Sequence, residues 1–282
     1  MTSWIRGPAP KRAELKTSLF FETSSAGFCT NFNQLLYAYA YSVSEGKPLN
    51  VYDLSNPIAP TYPLIKNTFE DISGIVCTDG VTAGSMSINR VLPRVMANAR
   101  SIPIETLRRH AQQIFKWKES FIPTLKTVLS STTLPGEFDL GIHIRVGDRI
   151  ASRDRRVAPV DEYIRVAKKY QTDSKKDKLS IFLMSDSIVA ISEFKKKAPA
   201  SWSVYTLPPS LTSPDGHLQS QFNRSPAPAR MNAYRTFMAE LLIMQSISSI
   251  ICTFSSNVGR FLYMTVESPE KMISIDERFE IK

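Results

Sequence analysis

The stretch Phe138-Asp139-Leu140-Gly141-Ile142-His143-Ile144-Arg145-Val146-Gly147-Asp148-Arg149 decides how this sequence is read. Its first part is apolar and β-branched, as in a strand buried within a parallel sheet. His143 and Arg145 interrupt that run two residues apart, so alternation puts both on one side of the strand. Gly147 and Asp148 end it. An arginine at the C-terminal end of a buried strand is unfavourable unless it meets an anion. That end is also where open α/β sheets bind their ligands. The stretch therefore reads as the anion-binding edge of an enzyme site.

Strands and helices alternate on both sides of it. Downstream, the patterning predicts a helix over Pro159–Lys169 and a strand over Lys178–Met184 that ends in Ser185-Asp186-Ser187. A helix over Ile188–Lys197 and a strand over Ser203–Leu207 follow. A long proline-broken loop, Pro208–Arg230, carries Gly216-His217. Then come a helix over Met231–Ser246, a strand over Ser249–Phe254, a Ser255-Ser256 turn, a helix over Asn257–Glu267 and a strand over Lys271–Ile275. Upstream, Thr17–Glu22 reads as a strand and Gly27–Gln34 as a polar turn. Leu35–Glu45 reads as a helix closed by Gly46-Lys47-Pro48, and Leu49–Leu54 as a strand. That order is a βαβ unit. A short strand at Gly74–Cys77, a helix at Ser87–Ala99 and an amphipathic helix from Ile104 to about Val128, kinked or divided at Pro123, complete the first part. The loop Ser130–Glu137 is the boundary, giving halves 1–130 and 131–282. The fold class is α/β.

Composition narrows the function. The chain has 282 residues, 43% of them apolar, enough for one large core or two ordinary ones. It contains no apolar run of the roughly 18 residues that a membrane helix needs. Residues 1–15 are polar and basic and lack the apolar region of a signal peptide, which predicts a cytoplasmic protein. Three cysteines do not make a disulfide framework, and three histidines without ligand spacing do not predict a metal. The formal net charge of +9 favours anionic partners such as nucleic acid, a membrane surface, a nucleotide or a phosphorylated substrate. The basic clusters at Arg153–Arg156, Lys175-Lys176 and Lys195–Lys197 are short and read as solvated faces. No basic stripe interleaved with aromatics supports a nucleic-acid binder.

Several motifs together resemble one family. His143-Ile144-Arg145-Val146-Gly147-Asp148-Arg149 resembles the His-x-Arg-x-x-Asp-Lys segment of the α1,6-fucosyltransferases, which include the nodulation fucosyltransferases. Pro159-Val160-Asp161-Glu162-Tyr163 is similar to the family's Pro-Ile-Glu-Glu-Tyr, and Met184-Ser185-Asp186-Ser187 to its Ala-Thr-Asp-Asp. Cys252-Thr253-Phe254-Ser255-Ser256-Asn257-Val258-Gly259-Arg260 is similar to its Cys-Thr-Phe-Ser-Ser-x-Val-x-Arg. The order and rough spacing hold over residues 110–275, whereas the first hundred residues match only loosely. The resemblance implies a GT-B-like enzyme of two Rossmann-like halves facing across a cleft. The second half would bind GDP-fucose and the first would meet the acceptor. Transfer would invert the anomeric centre without a metal, and the acceptor would be a glycan or glycoconjugate hydroxyl. The alternatives are a transferase of another GDP-sugar, or a pseudoenzyme that binds a glycan or nucleotide.

Individual residues then take candidate roles. Arg145, with its fixed charge and planar donor fork, is assigned to the pyrophosphate, where it would stabilise charge developing on departing GDP. The alternative is an arginine paired structurally with a carboxylate. The resemblance places His143 near guanosine; a satisfied core histidine is the other reading. Asp148 would orient Arg145, and Arg149 would meet phosphate or fucose unless it is a solvated loop charge. Asp186 is either a donor-site residue or a helix N-cap. Thr253, Phe254, Ser255 and Ser256 lie between a strand and a helix start, where N–H groups favour phosphate; a plain serine N-cap is the alternative. Glu240 falls where the family has an Asp that reads the guanine edge, or is an ordinary surface glutamate. Asn31, Asn33 and Gln34 offer neutral groups to sugar or phosphate, or simply cap a turn. The aromatic stripe Phe32, Tyr37, Tyr39 and Tyr41 reads as core.

Two positions depart from the family pattern. Val146 stands where core enzymes carry a second arginine, so Arg149, Arg153 or Arg260 would have to supply that contact. The family's proposed general-base glutamate falls at Arg153, which leaves the adjacent Asp154 as the substitute.

Overall fold

The computed structural model describes residues 18–53, 64–72, 75–78, 86–147, 157–208 and 216–281. In chain order the first part contains β1 (Leu19–Glu22), α1 (Phe28–Glu45), β2 (Leu49–Tyr52), α2 (Leu64–Thr68), β3 (Ile75–Thr78) and β4 (Met86–Ser87). A 3₁₀ turn at Ile88–Val91 leads into α3 (Leu92–Ser101), α4 (Ile104–Ile114) and α5 (Ile122–Leu129). The second part runs β5 (Leu140–Ile144), α6 (Val160–Asp173), β6 (Leu179–Ser185), α7 (Ile188–Lys197) and β7 (Trp202–Tyr205). It continues through α8 (Gln219–Arg224), α9 (Ala227–Ser246), β8 (Ile250–Cys252), α10 (Asn257–Thr265) and β9 (Met272–Ser274).

The strands form two sheets, ordered β3-β2-β1-β4 and β7-β6-β5-β8-β9. Every pairing is parallel. In each sheet the first strand lies inside, with its successor on one side and a later strand on the other. The strand order therefore reverses between β1 and β4 and again between β5 and β8. A crevice opens at the C-terminal ends of strands at such a reversal, because the two connections leave on opposite faces. Both loops that the sequence marks as polar, after β1 and after β5, start at these points.

Strand β5 is buried along its whole length, as its apolar run predicts. Leu140, Ile142 and Ile144 face one core with Val160, Tyr163 and Ala167 of α6 and Phe194 of α7. Gly141 faces the opposite way, and a Cβ there would press on the Met244 side chain of α9. That second core also takes Phe182, Met184 and Cys252, and it runs without a break into the first half. Phe32 of α1 lies 5.4 Å, ring centre to ring centre, from Phe261 of α10 and 5.2 Å from Phe69. Each ring that such a core removes from water contributes about 1.5–3 kcal/mol. Arg108 of α4 reinforces the junction by donating to the carbonyls of Tyr263 and Val266 at the C-terminal end of α10. The tail crosses back as well: Phe279 stacks on Tyr263 at 4.3 Å and Arg100 Nε donates to the Ile281 carbonyl.

Several boundaries differ from expectation. Helix α1 starts at Phe28, so Phe28–Gln34 is helical and is not a turn. Phe28, Phe32, Leu35 and Leu36 recur on one buried face, and that burial outweighs the polar residues between them. The helix predicted from Ile104 to about Val128 is two helices, interrupted at Phe115–Phe121 where Phe69 and Trp117 form an antiparallel bridge. Pro123 lies in the first turn of α5, where a missing N–H does no harm. Pro228 plays the same part in α9, which begins within the predicted loop. Residues 219–224 of that loop form α8. Among the described residues no helix is long and apolar enough to cross a membrane.

Candidate functional site

Arg145 follows directly on β5, at the point where the strand order reverses. Its guanidinium donates from Nη1 to Asp186 Oδ2 at 2.7 Å, and both side chains are largely buried. Asp186 follows β6, the neighbour of β5, so strand pairing brings the two together: His143 lies opposite Met184 and Ile144 opposite Ser185. The same carboxylate accepts the Val146 N–H at 2.8 Å on Oδ1 and the His217 N–H at 3.1 Å on Oδ2. Asp186 thus holds a side chain and two backbone segments at once. It does not cap α7; Ser187 does, accepting the Ala190 N–H. Among the described residues Arg145 is paired with a carboxylate, that of Asp186.

The long loop reaches this point because two glycines let backbone meet backbone. Gly216 has φ +84, and a Cβ on it would collide with Gly147 N and Cα. A Cβ on Gly147 would collide in turn with the His217 carbonyl and with Asp186. His143 lies deep beneath, buried on the α9 side of β5. Asp148, Arg149, Arg153 and Asp154 lie outside the described residues.

Glu240, on α9, is not an ordinary surface glutamate. It is partly exposed but deeply surrounded, and it makes no hydrogen bond among the described residues. Burial, and then the negative charge of Asp186, push its carboxyl up to about 8. A carboxyl near that value is about nine-tenths protonated at pH 7.

The turn after β8 is more occupied than the sequence suggests. Ser256 is the N-cap of α10. The Ser255 hydroxyl donates to Asp276, and the Phe254 N–H donates to Asp276 Oδ1 at 2.9 Å. Burial opposes ionisation of Asp276, but hydrogen bonds from Ser255, Ser274 and the Glu277 and Phe254 N–H groups outweigh it and hold the carboxyl below its usual range. A carboxylate from the tail therefore meets groups expected to face phosphate. Thr253 is fully buried, and its Oγ1 has no hydrogen-bond partner among the described residues. Gly259 lets α10 press on β8, since a Cβ would strike the Thr253 carbonyl. Arg260 is buried, with Nη2 3.7 Å from Glu277 Oε1.

The first half closes on the same place. Asn31 spends its side chain on the loop before α1: Oδ1 accepts the Ser24 N–H at 2.8 Å, and Nδ2 donates to the carbonyls of Ser24 and Ala26. Asn33 Nδ2 donates to the Asn257 carbonyl at 3.1 Å, and Asn257 Nδ2 donates to Thr30 Oγ1 at 2.7 Å. Asn31 shapes the turn and Asn33 ties the halves together; Gln34 is exposed. Cys29 marks the distance: burial pushes its thiol up, and the Arg145 guanidinium is close enough to pull it partly back. The start of α1 therefore faces Arg145. Phe32, Tyr37 and Tyr41 are buried, as core residues should be.

Sequence reasoning missed His217 and Asp276. His217 belongs to a proline-rich loop with no periodicity, and only Gly216 before it hinted at a close approach. Asp276 lies past the last strand, in a segment read simply as a tail.

No family model matches the chain, and no curated protein matches its sequence. Solved structures do. The α-1,6-fucosyltransferase NodZ, in a crystal soaked with GDP-fucose, is similar with a TM-score of 0.59 and 14% identity, over 92% of this chain and 96% of its own. NodZ from Bradyrhizobium gives a TM-score of 0.56 at 14% identity, over 92% and 96%. POFUT1 in complex with GDP-fucose gives 0.54 at 10% identity, over 95% and 100%. The chain has the fold of these fucosyltransferases. It is GT-B-like, with two Rossmann-like sheets, and the expected fold class holds. At this identity the likeness concerns the backbone; which side chains act is a matter for their own chemistry. Among the described residues no three His, Cys, Asp or Glu side chains cluster as metal ligands.

Proposed function

We propose that this protein is an inverting glycosyltransferase that moves fucose from GDP-fucose to a glycan hydroxyl without a metal. The observation that carries the reading is Arg145, held by Asp186 where the strand order reverses in a fold shared with enzymes crystallised with GDP-fucose. A guanidinium held by a carboxylate keeps one orientation, and its fixed charge and planar donor fork suit phosphate oxygens. Arg145 binds the pyrophosphate and stabilises the charge that develops on GDP as the bond to fucose breaks. Glu240 reads the guanine edge, with His143 beneath the nucleoside. Thr253, Phe254, Ser255 and Ser256 contribute at the β8–α10 turn. Residues 1–130 form the acceptor half and 131–282 the donor half, and the reaction is placed in the cytoplasm. Asp148 and Arg149 belong to the same reading as the loop that follows Arg145. Calorimetry with GDP in the presence of a chelator tests it. Micromolar binding is expected, weakened at least tenfold in Arg145→Ala because a charge-assisted pair of hydrogen bonds is lost, roughly 1.5–3 kcal/mol. Absence of binding at millimolar GDP would refute it.

A second reading has a specific observation behind it. Asp276 already engages Ser255 and the Phe254 N–H, and Val146 supplies no second guanidinium. A transferase of a different GDP-sugar, or a binding protein without turnover, accommodates both facts. Competition between GDP-fucose and GDP-mannose, with product detection, separates these readings.

A further inference from the structure

We propose that Asp276 is a positioning residue of the donor site, setting the β8–α10 turn for the diphosphate of GDP as Asp186 sets Arg145. The proposal takes its ligand from the fucosyltransferase reading. It begins with strand register. Ile144 pairs with Ser185, so one residue further on Arg145 and Asp186 are level across β5 and β6. Ile142 pairs with Ile251, so by count Phe254 is level with Arg145 across β5 and β8. Cys252 pairs with Ser274, and two residues further Asp276 is level with Phe254 across β8 and β9. Asp186, Arg145, Phe254 and Asp276 thus form one row at the C-terminal edge of four adjacent parallel strands. Open α/β sheets bind their ligands at this edge. A carboxylate stands at each end of the row.

The two carboxylates make the same kind of contact. Asp186 accepts a side-chain donor, Arg145 Nη1, and a backbone N–H, that of Val146, from the strand end beside it. Asp276 accepts the Ser255 hydroxyl and the Phe254 N–H from the strand end beside it. Asp276 is braced from its own side as well. Ser274 Oγ donates to its Oδ1 at 2.9 Å and the Glu277 N–H at 2.8 Å. The segment that carries it is anchored further on. Phe279 lies 4.3 Å from Tyr263 and 5.6 Å from Phe254, ring centre to ring centre, and Phe254 lies 5.2 Å from Tyr263. These rings join the tail, α10 and the turn, and the Ile281 carbonyl accepts Arg100 Nε of α3.

A carboxylate that merely stood in for phosphate would have to leave when GDP bound, but the ring cluster and the Arg100 contact hold this segment in place. Asp276 instead fixes the direction of the turn, and with it Ser256, which starts α10 by accepting the Val258 N–H. The N–H groups and dipole of a helix start favour an anion where they point at it. A turn already held in one orientation removes an ordering cost from binding. The sign of the effect separates this role from simple charge. An anionic side chain beside a diphosphate repels it, so on charge alone removing Asp276 would tighten binding. Positioning requires the reverse.

Calorimetry with GDP on the full chain tests this, together with guanosine, which lacks phosphate, followed by ligand-observed NMR. Asp276→Asn is expected to weaken GDP about fivefold, because a charge-assisted contact is lost, and to leave guanosine within about twofold. Ser255→Ala, which deletes one hydroxyl, is expected to weaken GDP at least about threefold. The double variant should bind no worse than the weaker single variant, since both substitutions break one connection. GDP affinity in Asp276→Asn equal to or above the parent's overturns the proposal, and so does parent affinity in Ser255→Ala, which decides the matter if Asp276→Asn does not fold. Losses that multiply in the double variant, or an equal loss of guanosine, also overturn it. In each of these cases the parent still binds GDP and the transferase reading stands. If the parent does not bind GDP at millimolar concentration, the transferase reading fails and this proposal fails with it.

Discussion

Glu240 offers the sharpest test of nucleotide recognition, because its protonation and its proposed task conflict near neutral pH. Reading the N1–H and 2-amino group of guanine requires two acceptors, hence the ionised carboxylate. The free protein holds that carboxyl at about 8 by burial and by the charge of Asp186. Binding must therefore remove a proton, and the affinity should rise with pH until ionisation is complete. With a value of about 8, roughly a tenth of the molecules are ionised at pH 7 and about three-quarters at pH 8.5, so Kd should fall about eightfold across that window. Phosphate ionisation, near pH 6, lies below it. Calorimetry at pH 7 in two buffers of different ionisation enthalpy should reveal about 0.9 proton released per GDP bound. Glu240→Gln should abolish both the slope and the proton release, and should weaken binding at pH 8.5 by roughly tenfold or more, since a charge-assisted contact is lost. A Kd that is flat over this window, or a slope that persists in Glu240→Gln, refutes the reasoning. An affinity that falls with pH would mean that the neutral acid is the binding form.

Two further outcomes follow from buried groups and backbone packing. Burial pushes Asp53 up to about 7 from an ordinary value of 3.8, against the Ile65 and Lys66 N–H groups and the Thr23 hydroxyl that favour its charge. The folded state therefore binds an extra proton between roughly pH 4 and 7, and stability should fall as pH rises through that range. Asp53→Asn should flatten this part of a urea-denaturation profile; an unchanged profile would count against it. Gly216→Ala forces a side chain into a left-handed backbone and onto Gly147, and should cost about 2–4 kcal/mol and several degrees of melting temperature. Gly136→Ala, where the added Cβ meets nothing within 4 Å, is the control and should melt like the parent.

Much of this arrangement is legible along the chain. The run from Leu140 to Ile144 reads as a buried strand because both of its faces must be apolar, and Arg145 stands out as the charge at its end. The spacing of Asp186 after β6 is legible for the same reason: parallel neighbours in register end together, so residues just past them share an edge. Helix α1 was misread at its start because Thr30, Asn31, Asn33 and Gln34 make the segment look like a turn. Their polarity is spent on the preceding loop and on Asn257, which are partners that periodicity does not reveal. The split of residues 104–129 into two helices likewise depends on Phe69 meeting Trp117, a contact across nearly fifty residues.

The sequence by itself determined the α/β rhythm and the position of Arg145, since each follows from local periodicity and from the cost of burying charge; two Rossmann-like halves were what the family resemblance of its motifs implied. Tertiary structure alone decided who holds Arg145 and what stands beside it. Asp186, His217, Gly216 and Asp276 reach their places through strand order and loop return, which short-range patterning does not encode. The arginine read as an anion-binding charge, or as one paired with a carboxylate, is one arm of a carboxylate-centred junction assembled from β5, β6 and the loop before α8.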